Sequence, residues 1–109
     1  MVNPEIIDIV RQYLAALPAI GINPTGAILF GSQARSNTHE WSDIDVVIIA
    51  PEFDSPRPIP WATMTRFWDV AQKIDPRLEP IPCGAKEWQQ PRARAVLSYA
   101  EAEGLEIAA

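Results

Sequence analysis

Residues 31–45, Gly31-Ser32-Gln33-Ala34-Arg35-Ser36-Asn37-Thr38-His39-Glu40-Trp41-Ser42-Asp43-Ile44-Asp45, set a phosphate-sized turn close to a pair of carboxylates. The apolar run Ala27-Ile28-Leu29-Phe30 predicts a buried strand that stops at Gly31. Glycine lets the backbone turn sharply there and leaves room for a ligand to approach. If Gln33 to Ser36 turn helical, their free N–H groups and the Ser32 hydroxyl make an anion cradle. A second apolar run, Val46-Val47-Ile48-Ile49, has Asp43 and Asp45 at its entrance. Residues i and i+2 of a strand share a face roughly 6.6 Å apart, so both aspartates can reach one divalent cation. Phosphate donors beside hard oxygen ligands suit a metal-bound nucleotide. Each half alone is common, since Gly-Ser turns join many strands and Asp-x-Asp often marks a solvated edge. Their order, with apolar strands on both sides, is what points to chemistry.

Helices and further strands must position these groups. Asn3 can cap a helix with Pro4 at its first position. Ile6, Ile7, Val10, Tyr13, Leu14 and Leu17 give that helix one apolar face, and Pro18, Gly21 and Pro24 close it. Strands are expected at about 27–30 and 44–50. Residues 51–60, rich in proline, predict a stiff, extended surface loop. Trp61, Met64, Phe67, Trp68, Ala71 and Ile74 then recur at helical spacing as far as Asp75-Pro76, which puts Trp61 and Trp68 in the core. Residues 77–82 predict a third strand, pushed to a sheet edge by Pro80 and Pro82. Glu79 in that strand either serves the acid pair or faces water, as edge carboxylates commonly do. Pro91 opens a last helix that turns Ala93, Val96, Leu97 and Ala100 inward and stops at Gly104. Two or three strands covered by amphipathic helices give an α+β fold.

Gly31-Ser32-x-Ala34-Arg35, a short loop, then Ser42-Asp43-x-Asp45 and aliphatics together resemble the signature of the DNA polymerase beta-like nucleotidyltransferase superfamily. Within it the chain is most similar to the minimal nucleotidyltransferases, small proteins that often accompany HEPN-domain proteins. The resemblance runs from the first helix to Glu103-Gly104-Leu105, and its specificity rests on residues 31–45. It implies a nucleotidyltransferase fold, with a small mixed sheet of about three to four strands flanked by α-helices. It also implies nucleotide binding by Gly31, Ser32, Arg35 and Ser42, and catalysis and metal binding by Asp43, Asp45 and Glu79. Glu79 occupies the place of the family's third acidic residue, where it would bind a second cation or accept the proton of the attacking hydroxyl. The implied reaction moves a nucleoside monophosphate, AMP from ATP, onto a hydroxyl while two Mg²⁺ ions offset phosphate charge. Arg35 either assists the phosphates or pairs with a local carboxylate. Two departures stand out. Ser36 sits where the family usually has glycine, and residues 51–60 do not map onto the usual pattern.

At 109 residues the chain is expected to be one domain, 1–109, and its 48% hydrophobic content favours a globular fold over disorder. Its net charge of −5 disfavours broad binding to nucleic acid. A lone cysteine, Cys83, and no recognisable signal peptide predict a cytoplasmic protein, and no apolar run is long enough for a membrane span. His39 reads as a solvated loop residue, and Cys83 lacks neighbours at zinc-binding spacing. Trp41 and Trp88 read as core or rim, with Trp41 alternatively lining a nucleotide pocket, and Arg92 and Arg94 as a solvated face. Larger relatives carry an added helical domain for which this chain has no length, so its acceptor is expected to dock from outside, or the domain to work as part of an assembly. Minimal nucleotidyltransferases pair with HEPN ribonuclease toxins, and some neutralise them by transferring AMP to a tyrosine near the toxin's active site. The resemblance therefore implies a protein adenylyltransferase acting as an antitoxin. Two alternatives stay open: a non-catalytic binding module with a vestigial nucleotide site, and a small-molecule (antibiotic) nucleotidyltransferase.

Overall fold

Side chains cap the chain's first helix from its start. In the computed structural model, which describes residues 2–34, 42–54, 56, 58–90 and 94–109, Asn3 Oδ1 accepts from the Glu5 amide at 2.9 Å. Pro4 then opens helix α1, Pro4–Ala16, and a 3₁₀ turn, Leu17–Ile20, follows it. The expected apolar face is the buried one: Ile6, Val10, Tyr13 and Leu14 are enclosed, and so is Ile9.

Strands β1 (Gly26–Phe30), β2 (Ile44–Ala50), β3 (Leu78–Gly84) and β4 (Leu105–Ala108) form one mixed sheet in the order β3-β2-β1-β4. Strand β1 runs antiparallel to both β2 and β4, while β2 and β3 are parallel. A parallel pair needs a crossover, and helix α2, Trp61–Ile74, supplies it. Strands β1 and β2 are central and covered on both faces, which is why they read as unbroken aliphatic runs. Ala27, Leu29, Ile44, Val46, Ile48, Ala50 and Leu78 face α1 and α2 on one side. Ile28, Phe30, Val47, Ile49 and Cys83 face the other, where Leu97 and Ala100 of helix α4, Ala95–Glu103, cover them.

Strand β3 lies at the sheet edge, as its prolines predict. The Arg77 carbonyl accepts from the Ile44 amide, so the alternate residues Leu78, Pro80 and Pro82 turn their backbone groups outward. Both prolines lack an N–H there, while Gln72 Nε2 donates to the Leu78 carbonyl at 3.1 Å and Arg94 donates to that of Pro82 at 2.8 Å. That edge is largely closed to further strand pairing.

Several expectations fail, each for a tertiary reason. Trp61 is 79% exposed and Trp68 40%, because α2 turns Phe67 and Ala71 inward instead. Phe67 meets Phe53 edge-on, packs against the tilted ring of Tyr13, and receives the Tyr13 hydroxyl on its carbonyl at 2.7 Å. Residues 51–60 are not uniformly extended: Pro51–Asp54 form a 3₁₀ turn. There Asp54 accepts from the Lys86 and Glu87 amides at the start of a short helix, α3, Ala85–Trp88. Arg94 is not simply solvated, since it pairs with Glu87 at 2.9 Å. The last helix starts at Ala95, and Pro91 to Ala93, including Arg92, lie outside the described residues. Trp88 packs at the rim of the α4-side core, as expected. Among the described residues no helix is long and apolar enough to cross a membrane.

The two faces of α2 give a direct check by urea denaturation. Phe67→Ala should cost about 3–5 kcal/mol, whereas Trp61→Ala should change stability by less than about 0.5 kcal/mol. Equal losses would contradict the burial pattern of α2.

Candidate functional site

The predicted turn and acid pair meet at one end of the sheet. Gly31 leaves β1 with φ of +74°, a conformation side chains resist. A Cβ at Gly31 would lie 2.6 Å from Asp45 Oδ2. The turn therefore favours glycine, and any side chain there would push on the carboxylate packed against it. Residues 31–34 form a turn rather than an assigned helix, and Arg35 to Trp41 lie outside the described residues. The expectations for Arg35, Ser36, His39 and Trp41 thus fall outside them too. Ser32 is half-buried within the turn and Ser42 is buried just before Asp43.

Strand pairing brings the third acid to the first two. Phe30 stands opposite Asp45 on β1, and Asp45 stands opposite Glu79 on β3. The Phe30, Asp45 and Glu79 side chains project from the α4-covered face, since Asp45 and Glu79 alternate with the residues that face α1 and α2. The turn before β3 is pinned. Asp75 accepts from the Arg77 amide and its guanidinium at 2.8–3.0 Å, and the Leu78 amide donates to the Asp75 carbonyl. Glu79 is exposed yet within hydrogen-bond reach of Asp45 and Asp43. Facing water and serving the acid pair are therefore not exclusive.

The electrostatics follow from crowding. Burial raises the Asp45 carboxyl above its ordinary range; a hydrogen bond with Glu79 offsets part of this, and the Asp43 charge adds to it. Burial also raises Glu79, followed by the charges of Asp43 and Asp45 and hydrogen bonds to both. Cys83 is a different case: its buried thiol is pushed up to about 12, by burial first and then by the Glu87 carboxylate. That makes it a poor nucleophile.

The donor set consists of hard oxygens, which suits a divalent cation of the Mg²⁺ type. Here, however, the carboxyls touch one another in pairs, and among the described residues no three His, Cys, Asp or Glu side chains stand ready around a common centre. Carboxyls crowded together in this way are a set that a cation could reorganise and relieve.

Both Asp45 and Glu79 hold their protons more tightly folded than unfolded, so the unfolded chain releases them first. Their contribution to stability is intact below the ordinary carboxylate range and is lost as pH rises through the folded values. Without metal, Glu79→Gln should therefore raise the urea midpoint at neutral pH, with the gain fading towards about pH 4. A lower midpoint at neutral pH would show that the carboxylates do not repel.

Comparison with known proteins agrees with this fold. No curated protein matches the sequence. A crystal structure of a candidate nucleotidyltransferase from Sulfolobus solfataricus superposes with a TM-score of 0.55. It is 17% identical, over 79% of this chain and 73% of that one, a likeness of fold. The sequence itself matches the nucleotidyltransferase domain family across residues 5–97, from the first turn of α1 into α4. With the Gly31 turn, the Asp43–Asp45 strand entrance and Glu79 all inside that span, the chain belongs to the nucleotidyltransferase domain family.

Proposed function

We propose that the chain is a Mg²⁺-dependent nucleotidyltransferase that moves AMP from ATP onto a hydroxyl of a partner protein, and that this partner is a HEPN ribonuclease toxin it neutralises in the cytoplasm. The observation that carries the catalytic reading is the position of Asp45, packed against the Gly31 turn on one side and facing Glu79 on the other. A turn and three carboxylates at one sheet end can hold a triphosphate and its counter-charge together.

In this reading the β- and γ-phosphates rest on Gly31 and Ser32, whose amides and hydroxyl donate to them, with Arg35 as a further phosphate contact. Ser42 holds the strand entrance beneath the nucleotide. Asp43, Asp45 and Glu79 would hold Mg²⁺, which when bound offsets the charge of the phosphates. The acceptor oxygen forms a bond to the α-phosphorus as the bond to the β-phosphate oxygen breaks, and pyrophosphate leaves along the turn. Glu79, exposed and with raised proton affinity, accepts the proton that the hydroxyl gives up. The sheet supplies positioning: both central strands are buried and cannot shift easily.

The partner half of the proposal follows from the resemblance of residues 31–45 to minimal nucleotidyltransferases. Incubation with ATP, Mg²⁺ and a HEPN protein encoded beside it, followed by intact mass spectrometry, tests both halves. The expected result is one or more AMP additions on the partner, lost with EDTA and reduced at least about 100-fold by Asp43→Asn or Asp45→Asn. An unmodified partner in a stable complex would replace the catalytic reading with inhibition by contact. Modification that survives Asp45→Asn would contradict the assigned site.

A further inference from the structure

Gln33 is only 4% exposed, and a glutamine is seldom enclosed unless its amide is bonded. Its Nε2 donates to the Ser42 carbonyl at 3.1 Å. Ser42 is itself 8% exposed and immediately precedes Asp43. The antiparallel register of β1 and β2 ends at Phe30 and Asp45. The Gln33 amide therefore adds a cross-link past the last ladder pair, from the residue after Ser32 to the residue before Asp43.

We propose that Gln33 is a positioning residue that locks the Gly31–Ser32 turn against the Asp43–Asp45 strand entrance, so that phosphates on the turn and a cation on the carboxylates are held in one geometry. The proposal rests on reading this end of the sheet as a metal–nucleotide site. A buried backbone carbonyl needs a donor, and the Gln33 amide supplies one to Ser42 from the turn itself. The β-ladder itself ends at Phe30 and Asp45, short of both Gln33 and Asp43. Small displacements between binding groups are costly where two of them must grip one ligand.

The test compares binding of Mn²⁺ alone with binding of Mn²⁺·ATP, both followed by electron paramagnetic resonance. Gln33→Met keeps the length and bulk of the side chain but has no donor. It should bind Mn²⁺ alone within about twofold of the unaltered protein while binding Mn²⁺·ATP about tenfold more weakly. Gln33→Glu, which sets an acceptor against the Ser42 carbonyl, should lose more. A merely structural role would lower both affinities in parallel with the melting temperature, and that result would overturn the proposal. Equal Mn²⁺·ATP affinity in Gln33→Met and the unaltered protein would also overturn it. Unaltered protein that binds Mn²⁺ but not Mn²⁺·ATP would instead contradict the metal–nucleotide reading beneath it.

Discussion

Charge repulsion among Asp43, Asp45 and Glu79 is the constraint around which the rest of the molecule is arranged. Three carboxyls at one sheet end cost stability, as the raised proton affinities of Asp45 and Glu79 register. Holding them there takes rigid backing. Strand β2 is enclosed on both faces and carries Asp45 between β1 and β3. The turn into β3 is fixed by Asp75 gripping Arg77, and the opposite side of Asp45 is filled by the backbone of Gly31. A functional site kept at a stability cost is a common pattern where activity and stability compete.

Support for the site is unevenly distributed. The face opposite the acids carries the larger core, built by α1 and α2 around Tyr13, Phe67 and the aliphatics of the central strands. The face that bears the acids is covered by α4 through Leu97 and Ala100. At the far end of the sheet, Asp54, Glu87 and Arg94 tie the 3₁₀ turn, α3 and the end of β3 together. That arrangement leaves the acid end accessible while most of the remaining polar anchors sit elsewhere.

The parts of this arrangement legible in sequence were those governed by local rules. Asn3-Pro4 marked the first helix, the aliphatic runs marked β1 and β2, and Pro80 and Pro82 marked an edge strand. The proximity of Gly31 to the acid pair also followed from sequence order. From the residues alone Glu79 stayed open between the acid pair and water, and only resemblance to a family favoured the first, because its pairing with Asp45 depends on a crossover that periodicity does not align. Trp61 and Trp68 misled, since an aromatic at helical spacing carries no mark of which side meets the core. The burial of Gln33 gave no signal, since it depends on the Ser42 carbonyl, nine residues along the chain. Strand β4 was missed because Leu-Glu-Ile-Ala is short and mostly exposed.

The central claim is that the Gly31 turn and the three carboxylates form one site for a metal-bound nucleotide. A crystal structure with Mn²⁺ and a non-hydrolysable ATP analogue, read by manganese anomalous scattering, tests it most directly. The account predicts manganese ligated by Asp43 and Asp45, with Glu79 turned toward it and the phosphates on Gly31 and Ser32. Nucleotide bound away from this end of the sheet, or phosphates on the turn with the carboxylates still paired to one another, would contradict it.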